Sequence, residues 1–342
     1  MASGTGKDHT DNGHRVRPML VYGPLAVALL LACIAALMLG SSSVGSADLF
    51  ALITGGELPR SARNILLTVR IPRVIAAILS GCALATAGAI IQAVLNNPLA
   101  SPNIIGVNAG AGLAVLLMSS LFPAAVFLLP AAAFAGALIA ALLVFLISAR
   151  TGAKQLTVIL AGMALTAIFG AGMNTILIVD PDAYIGASVF LVGGLSGVRM
   201  ELLLAPAVCI AMGIVLACFL ARHLNVLSLG DQVAHSLGMD VFRVRVLALA
   251  VAALLAGSAV SFAGLLGFVG LVIPHLVRFI IGHDNKRVLP ASALSGALFV
   301  VLCDLLARAL FAPYELPVGI LMAFLGGPFF IYLIVRRRNT DV

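Results

Sequence analysis

Long apolar runs, separated by short polar segments, limit what this chain can fold into more than any other feature. One of these runs, from Val74 to Leu95, contains no charged side chain. About 20 such residues in a helix match the thickness of the hydrocarbon core of a bilayer. Because lipid offers the backbone no hydrogen-bond partner, each run should satisfy its own backbone as an α-helix. The sequence therefore predicts an all-α membrane protein.

Composition supports a membrane environment and argues against a nucleic-acid partner. Of the 342 residues, 62% are hydrophobic and 10% are charged, whereas soluble domains are about 25% charged. The net charge of +7 would suggest nucleic-acid binding in a soluble protein. In a membrane protein, an excess of basic residues marks the cytoplasmic loops. We therefore expect membrane lipid around the chain and no nucleic acid.

We predict about ten transmembrane helices within a transmembrane domain that covers residues 19–335. Residues 1–18 and 336–342 are predicted to be an N-terminal and a C-terminal tail. The ten predicted spans are 19–39, 66–95, 103–121, 124–148, 156–179, 200–220, 243–263, 265–282, 289–311 and 316–335.

The distribution of Lys and Arg predicts the orientation of these spans. Ten spans place both termini on one side of the membrane, and 14 of the 20 Lys and Arg residues lie on that side too. Because cytoplasmic loops are enriched in these residues, we predict that both tails are cytoplasmic. Arg70, Arg73 and Arg308 are among the six basic residues that this arrangement places outside.

Residues 96–110, NNPLASPNIIGVNAG, interrupt two apolar runs on the predicted cytoplasmic side. Pro98 and Pro102 lack the backbone N–H that a helix interior needs, and each disfavours helical angles in the residue before it. We therefore predict a break between two helices. The residues alone leave two interpretations open: an ordinary turn, or a loop that lines the mouth of a pathway.

A second polar segment, RHLNVLSLGDQVAHSLGMDVFRVR, follows the predicted span 200–220. We predict a short helix that is capped by Ser228, has Asp231 in its first turn and ends at Gly238 in a left-handed conformation. An apolar stripe runs along it at every fourth position, formed by Leu229, Val233 and Leu237. A helix this short needs a surface to lie on. That surface is either the membrane with the protein's own loops or a groove on a cytoplasmic partner.

Ionisable side chains are scarce in the middle of the spans, and this limits the possible mechanisms. The clear exception is Asp304 with Arg308, which are four residues apart and can pair on one helix face. Ion-coupled transporters usually carry ionisable groups in the membrane, so their scarcity here argues against an ion-coupled secondary transporter. That class is the rival interpretation. The chain has no G-x-x-x-x-G-K-[ST] nucleotide motif. We predict no catalytic residue, no metal site and no cofactor in this chain.

Residues 87–106 and 263–282 resemble each other, with identical residues at seven of twenty positions. Many transporters contain internal repeats. In a chain this rich in Ala, Gly, Ile and Leu, chance produces similar matches, and the sequence leaves both explanations open.

Five sequence blocks, in this order, resemble the FecCD family of bacterial ABC-importer permeases for iron siderophores, haem and cobalamin. The blocks are RIPR at 70–73, GCALATAGAIIQAVLNNPLASPNIIGVNAGAG at 81–112, LSLGDQVAHSLGMDV at 227–241, GLLGFVGLVIPHLVRFIIGHDNKRVLP at 264–290 and ELPVGILMAFLGGPFFIYLI at 315–334. The resemblance covers about residues 20–336. It implies a type II ABC importer permease with ten transmembrane helices in the bacterial inner membrane.

The same resemblance implies several partners. Family members pair with a second permease subunit, either a copy of the same chain or a sister chain. They carry two ATPase subunits on the cytoplasmic side and receive the chelate from an external substrate-binding protein. ATP and Mg would then bind to the partner ATPase and not to this chain. We expect a ferric siderophore as the substrate, with haem or cobalamin as alternatives.

Residue roles also follow from the resemblance. The family's cytoplasmic gate corresponds to Asn97 and Leu99. The segment that couples to the ATPase corresponds to Ser228, Leu229, Asp231, Val233, Leu237 and Gly238. The outer arginines that meet acidic residues of the binding protein correspond to Arg70, Arg73 and Arg308.

Overall fold

The computed structural model of the chain describes residues 19–39, 45–56, 58–150, 155–310 and 314–338. These residues form fourteen α-helices and no β-strand, which confirms the all-α prediction. The helices are α1 (Met19–Met38), α2 (Ser46–Thr54), α3 (Arg60–Asn64), α4 (Ile71–Val94), α5 (Val107–Leu121), α6 (Leu129–Ala149), α7 (Gln155–Val179), α8 (Ala183–Val192), α9 (Met200–Leu227), α10 (Asp231–Ser236), α11 (Val241–Ala263), α12 (Val269–Ile281), α13 (Asn285–Ala309) and α14 (Val318–Arg338). The predicted tail 1–18 and residues 339–342 lie outside the described residues.

Each of the ten predicted spans coincides with one helix in chain order. Seven helical stretches in the described part of the chain are long and apolar enough to cross a bilayer. One of them, Arg60–Val94, joins α3 to α4 through a single wide turn of π-helix at Ile65–Arg70. The shorter apolar helices are α5, α8, α12 and the Val318–Tyr332 part of α14.

Three helices were missed by the sequence prediction: α2, α3 and α8. All are at most ten residues long, so none produces the run of about 20 apolar residues by which a span is recognised. In addition, α9 continues to Leu227, seven residues beyond the predicted span. This extension carries α9 up to the α10 helix.

Helix α4 lies at the centre of the molecule and packs against α9, α11, α12 and α13. Backbones approach closely at two glycine pairs. A Cβ on Gly81 would lie 2.2 Å from the carbonyl oxygen of Gly296 on α13, and one on Gly88 would lie 1.9 Å from that of Gly270 on α12. Small residues allow such contact between membrane helices. The two pairs fix α4 between α12 and α13.

The helices differ strongly in burial. In the most apolar 18-residue windows of α4 and α11, 78% of the residues are buried, against 22% in α7 and α9. Apolar side chains on α7 and α9 therefore remain on the outside of the chain, where lipid or another subunit can cover them. The core is formed by α4 and α11 with the helices around them.

The two similar segments, 87–106 and 263–282, do not share a structure. In the first, α4 continues to Val94 and a turn follows. In the second, α11 ends at its first residue and α12 begins at Val269, so Pro98 lies in a turn while the matching Pro274 lies inside a helix. The two segments are not a structural repeat.

Candidate functional site

Helix α4 ends in a defined cap directly before the predicted gate residues. Asn96 has a positive φ of 42°, a conformation that Asn tolerates better than most residues. Its N–H donates to the carbonyl of Ala93 over 3.3 Å, and the N–H of Asn97 donates to that of Gln92 over 3.0 Å. This pair of bonds is the Schellman motif, which satisfies carbonyls at a helix end. This cap fixes the direction in which the chain continues after α4.

The turn that follows, residues 95–101, is held by its own backbone and by Asn97. The Asn97 side-chain oxygen accepts from the N–H of Leu99 over 2.9 Å, and its carbonyl accepts from Ala100 over 3.1 Å. Pro98 occupies the second position of this turn, where its fixed φ fits. The break predicted from the prolines is confirmed. Asn97 and Leu99 are both half-buried, and their gate role stays a prediction.

The α10 segment, residues 228–238, differs in one respect from the prediction. Ser228 does not cap the helix, because its hydroxyl donates back to the carbonyl of Asn225 over 2.7 Å, at the end of α9. Gly230 takes the N-cap position instead, with a φ of 103°. The predicted left-handed C-terminus is confirmed: Gly238 has a φ of 80°, and Met239 donates to the carbonyl of Ala234.

One face of the α10 segment is anchored and the other is exposed. Asp231, in the first turn as predicted, accepts from the Arg245 guanidinium of α11 over 2.6 Å. Arg245 is fully buried, as is Ala234 on the same side. The predicted stripe is exposed, with Leu229 at 61%, Val233 at 45% and Leu237 at 65%. The sequence analysis assigned no role to Arg245.

At the opposite end of α4 lies a group of five charged residues, here named the Arg73 cluster. It consists of Arg70, Arg73, Asp304, Arg308 and Glu315. The Arg73 Nε lies 2.9 Å from an Asp304 oxygen, and its Nη1 lies 2.6 Å from a Glu315 oxygen. The predicted pairing of Asp304 with Arg308 is confirmed, with 3.1 Å between Nε and Oδ2.

Two arginines of the Arg73 cluster also cap the C-terminus of α1. Arg70 donates to the carbonyls of Leu37 and Met38. Arg308 donates to those of Ala36 and Leu39, over 3.1 and 3.2 Å. The last four carbonyls of a helix have no partner within it, and cations are favourable there because of the helix dipole. The cluster thus ties α1 to α4 and α13.

The three arginines predicted to dock a binding protein are therefore engaged inside the chain. Arg70, Arg73 and Arg308 are only 3–5% exposed. The sequence placed them correctly at one end of the bundle. It could not show that Arg73 pairs with Asp304, since the two lie 231 residues apart. Their docking role stays a prediction. Glu315, whose side chain is 33% exposed, is the more accessible of the two carboxylates bound to Arg73.

Among the described residues, no group of three His, Cys, Asp or Glu side chains is arranged to hold a metal ion. The polar features are thus the 95–101 turn and the α10 segment at one end, and the Arg73 cluster at the other.

Comparison with known proteins gives a consistent result. The sequence model of the FecCD transport family matches residues 28–336. The chain is 39% identical to the Fe(3+)-citrate import system permease protein YfmE of Bacillus subtilis, over 93% of this chain and 95% of that protein. It is 37% identical to the hemin transport system permease protein HmuU of Yersinia pestis, over 95% and 98% of the two chains.

A solved structure agrees with these relatives. The fold is similar, with a TM-score of 0.82 and 29% sequence identity, to a metal-chelate type ABC transporter in an inward-facing conformation. The similarity covers 94% of this chain and all of the other. With its family match, its relatives and its helical architecture, this chain belongs to the FecCD transport family.

Proposed function

We propose that this chain is the membrane-spanning subunit of a bacterial importer for a ferric siderophore, driven by ATP that a partner subunit hydrolyses. The observation that carries the proposal is the exposed apolar stripe of the α10 segment. Three large apolar side chains project from the α10 segment, whose six-residue helix is fixed to the membrane helices through Asp231 and Arg245. A stripe that is rigidly mounted in this way suits a helix-in-groove contact with a cytoplasmic protein.

The partners follow from this arrangement and from the family. We place two ATPase subunits against the α10 segments of two permease chains, which are identical or sister chains. ATP and Mg bind to the ATPase subunits. Both termini are cytoplasmic, and the Arg73 cluster faces an external binding protein. A carboxylate of that protein reaches Arg73 by replacing Glu315, the accessible member of the pair.

The choice of a siderophore rests on the relatives. Permeases for ferric citrate and for ferric hydroxamate are 33–39% identical to this chain. The identities of permeases for hemin and cobalamin, 37% and 40%, lie close to that range, so identity alone does not select the chelate. Iron chelates are the more frequent cargo among these relatives, and haem and cobalamin are the alternatives.

Uptake into proteoliposomes tests the proposal. The chain is purified with its partner ATPase and its binding protein, and the vesicles are given radiolabelled ferric hydroxamate, ferric citrate, hemin or cobalamin. We expect ATP-dependent uptake of one of the two ferric chelates. Uptake of only hemin or cobalamin would identify the alternative substrate. Uptake that persists without the ATPase and stops when the proton gradient is collapsed would establish the rival, an ion-coupled transporter.

A further inference from the structure

We infer that Arg278 is a positioning residue that holds the 95–101 turn in register with the α10 segment. It does so within a continuous chain of hydrogen bonds that runs from Ser228 to Leu99. The inference rests on the proposed function, because it assigns a transport role to the connection between the two segments. It adds a residue and a route that neither segment reveals by itself.

Arg278 joins three helices although it has neutral acceptors only. From α12, its Nη1 donates to the side-chain oxygen of Gln92 over 2.6 Å. Its Nη2 donates to the carbonyl of Ala89, also on α4, over 3.0 Å and to the side-chain oxygen of Asn285, at the start of α13, over 3.1 Å. Hydrogen bonds from a charged donor are about twice as strong as those between neutral groups. The planar guanidinium is suited to bind several acceptors in fixed directions.

On one side, the chain of bonds reaches the 95–101 turn through Gln92. This side chain is 3% exposed, and besides accepting from Arg278 it donates to the carbonyl of Leu271 over 3.1 Å. Its backbone carbonyl accepts the N–H of Asn97 in the cap of α4, and Asn97 in turn holds Leu99. A shift of Arg278 therefore moves Gln92 and, through its carbonyl, Asn97 in the turn.

On the other side, the chain of bonds reaches the α10 segment through two asparagines. The backbone N–H of Asn285, a residue that is 1% exposed, donates to the side-chain oxygen of Asn225 over 2.7 Å. The Asn225 amide donates to Asp284 over 2.7 Å, and this bond lowers the pKa of the Asp284 carboxyl. The Asn225 carbonyl accepts the hydroxyl of Ser228.

Three bonds of this chain join different helices: Asn225 to Asn285, Asn285 to Arg278, and Arg278 to Gln92. A movement at one end must therefore displace the next helix or break a bond. The end of α9 carries both Asn225 and the start of the α10 segment. A partner that tilts the α10 segment also moves Asn225, and through Asn285 and Arg278 it moves the end of α4. The turn and the α10 segment are therefore connected by one continuous set of hydrogen bonds. Such a physical connection can carry coupling between two sites.

The test measures the mobility of a nitroxide label on the 95–101 turn in the purified chain in lipid nanodiscs. The five native cysteines are replaced by Ala, and the label is attached to Leu99→Cys. Asn225→Ala removes bonds to Asp284 and Asn285 and none to α4 or to the turn. We expect it to shift the label from slow to fast motion on the nanosecond timescale, and we expect Arg278→Gln to do the same. Combining the two variants should add nothing further.

Controls separate this connection from a general loosening of the fold. A label on Ile139→Cys of α6 should be unaffected, and Ser119→Ala, which removes a buried hydroxyl bond to Ala183, should leave the label at 99 unchanged. If Asn225→Ala disturbs the label at 139, Arg278→Lys serves instead: it keeps the charge but cannot hold all three acceptors, and we expect intermediate mobility at 99. Unchanged mobility at 99 in these variants, or additive effects in the double variant, would overturn the inference.

A second measurement connects the result to transport. In the proteoliposomes described above, Arg278→Gln should raise the number of ATP molecules hydrolysed per substrate imported by about fivefold or more, the lower range of typical coupling between sites. An unchanged ratio would overturn the transport role of Arg278. The label experiment needs neither ATPase nor substrate, so its failure differs from a failure of the proposed function, in which the unaltered chain imports nothing with ATP.

Discussion

Charged residues inside the helix bundle are held by several partners each, and Arg73 is the clearest case. It binds Asp304 and Glu315, while Asp304 also binds Arg308. Three cations and two carboxylates leave one positive charge in excess, next to the C-terminus of α1. That helix end carries partial negative charge, which balances the cluster.

Removing Arg73 should destabilise the protein strongly. Arg73→Met leaves Asp304, which is 2% exposed, without one of its two cations, and breaking a buried pair costs about 3–5 kcal/mol. We expect a clearly lower melting temperature of the purified protein, followed by the reaction of a thiol-specific dye with the native cysteines. Cys303 beside Asp304 is 1% exposed and reports on this region.

Arg63→Met is the matched control, because Arg63 is exposed and lies only ten positions earlier. It should melt like the unaltered chain. Equal melting temperatures for both variants would contradict the role given to the Arg73 cluster.

Leu237 at the end of the α10 segment gives a test of partner contact. Leu237→Asp places a charge in the apolar stripe, and a charge without a partner in an apolar contact is costly to desolvate. We expect loss of substrate-stimulated ATP hydrolysis in the assembled complex, with normal membrane insertion. Gln232→Asp adds the same charge at an exposed position next to Val233 and should retain activity. Normal transport by Leu237→Asp would exclude the stripe as the contact.

Whether the interactions of a residue could be predicted from the sequence depends on how far apart the partners lie along the chain. The pairing of Asp304 with Arg308 followed from helical spacing, and the left-handed Gly238 from its residue type. Ser228 was assigned the wrong partner, because a hydroxyl after a helix can donate backward as readily as it can cap the next helix. Arg245 and Arg73 could not be paired from sequence, since their acceptors lie on other elements.

At the scale of elements, apolar run length was sufficient to find the ten spans, because lipid leaves the backbone no alternative to a helix. The short helices α2, α3 and α8 were not predicted, because ten or fewer residues do not form an apolar run that is long enough to be recognised as a span. The positions of helices relative to one another did not follow from the sequence. The central place of α4 rests on small residues that recur throughout this chain, and most of its 34 glycines cannot be ranked by inspection.

The contact between α4 and α12 makes one glycine far more sensitive than another. Gly88→Ala would place a methyl group 1.9 Å from the carbonyl oxygen of Gly270, so the helices must separate. Overpacking of this kind costs about 1–3 kcal/mol or more. We expect reduced yield and a lower melting temperature. Gly170→Ala on α7 meets no atom within 4 Å and should be neutral; similar behaviour of the two variants would contradict the described packing.

For the whole molecule, the uneven burial of helices divides the chain into a core and a periphery. Helices α4 and α11 form the core, whereas α7 and α9 present apolar side chains outward. The sequence predicted a helix for each apolar run but not this division, because nearly all runs are equally apolar. The faces left open are available to lipid and to a second permease subunit.

Cross-linking tests whether the 95–101 turns of two permease chains meet. Asn97→Cys or Leu99→Cys, in a background without the native cysteines, should cross-link between subunits in the resting state. If the subunits are sister chains, the partner needs the matching cysteine. Trapping the ATP-bound state should change the yield, because the exit then changes width.

Ile139→Cys on the outer face of α6 is the control position and should not cross-link. Absence of cross-links at 97 and 99 in every nucleotide state, together with normal transport without leak by the Asn97→Ala/Leu99→Ala double variant, would mean that the segment is only a turn.

The capping of α1 has a consequence for biosynthesis. Arg70 is translated about thirty residues after the carbonyls that it binds, but Arg308 follows Leu39 by 269 residues. At about 5–20 residues per second, the ribosome needs roughly 15–55 s to synthesise the residues between Leu39 and Arg308. During this time the C-terminus of α1 lacks its two bonds from Arg308. Helix α1 is therefore fully capped only after α13 has been synthesised.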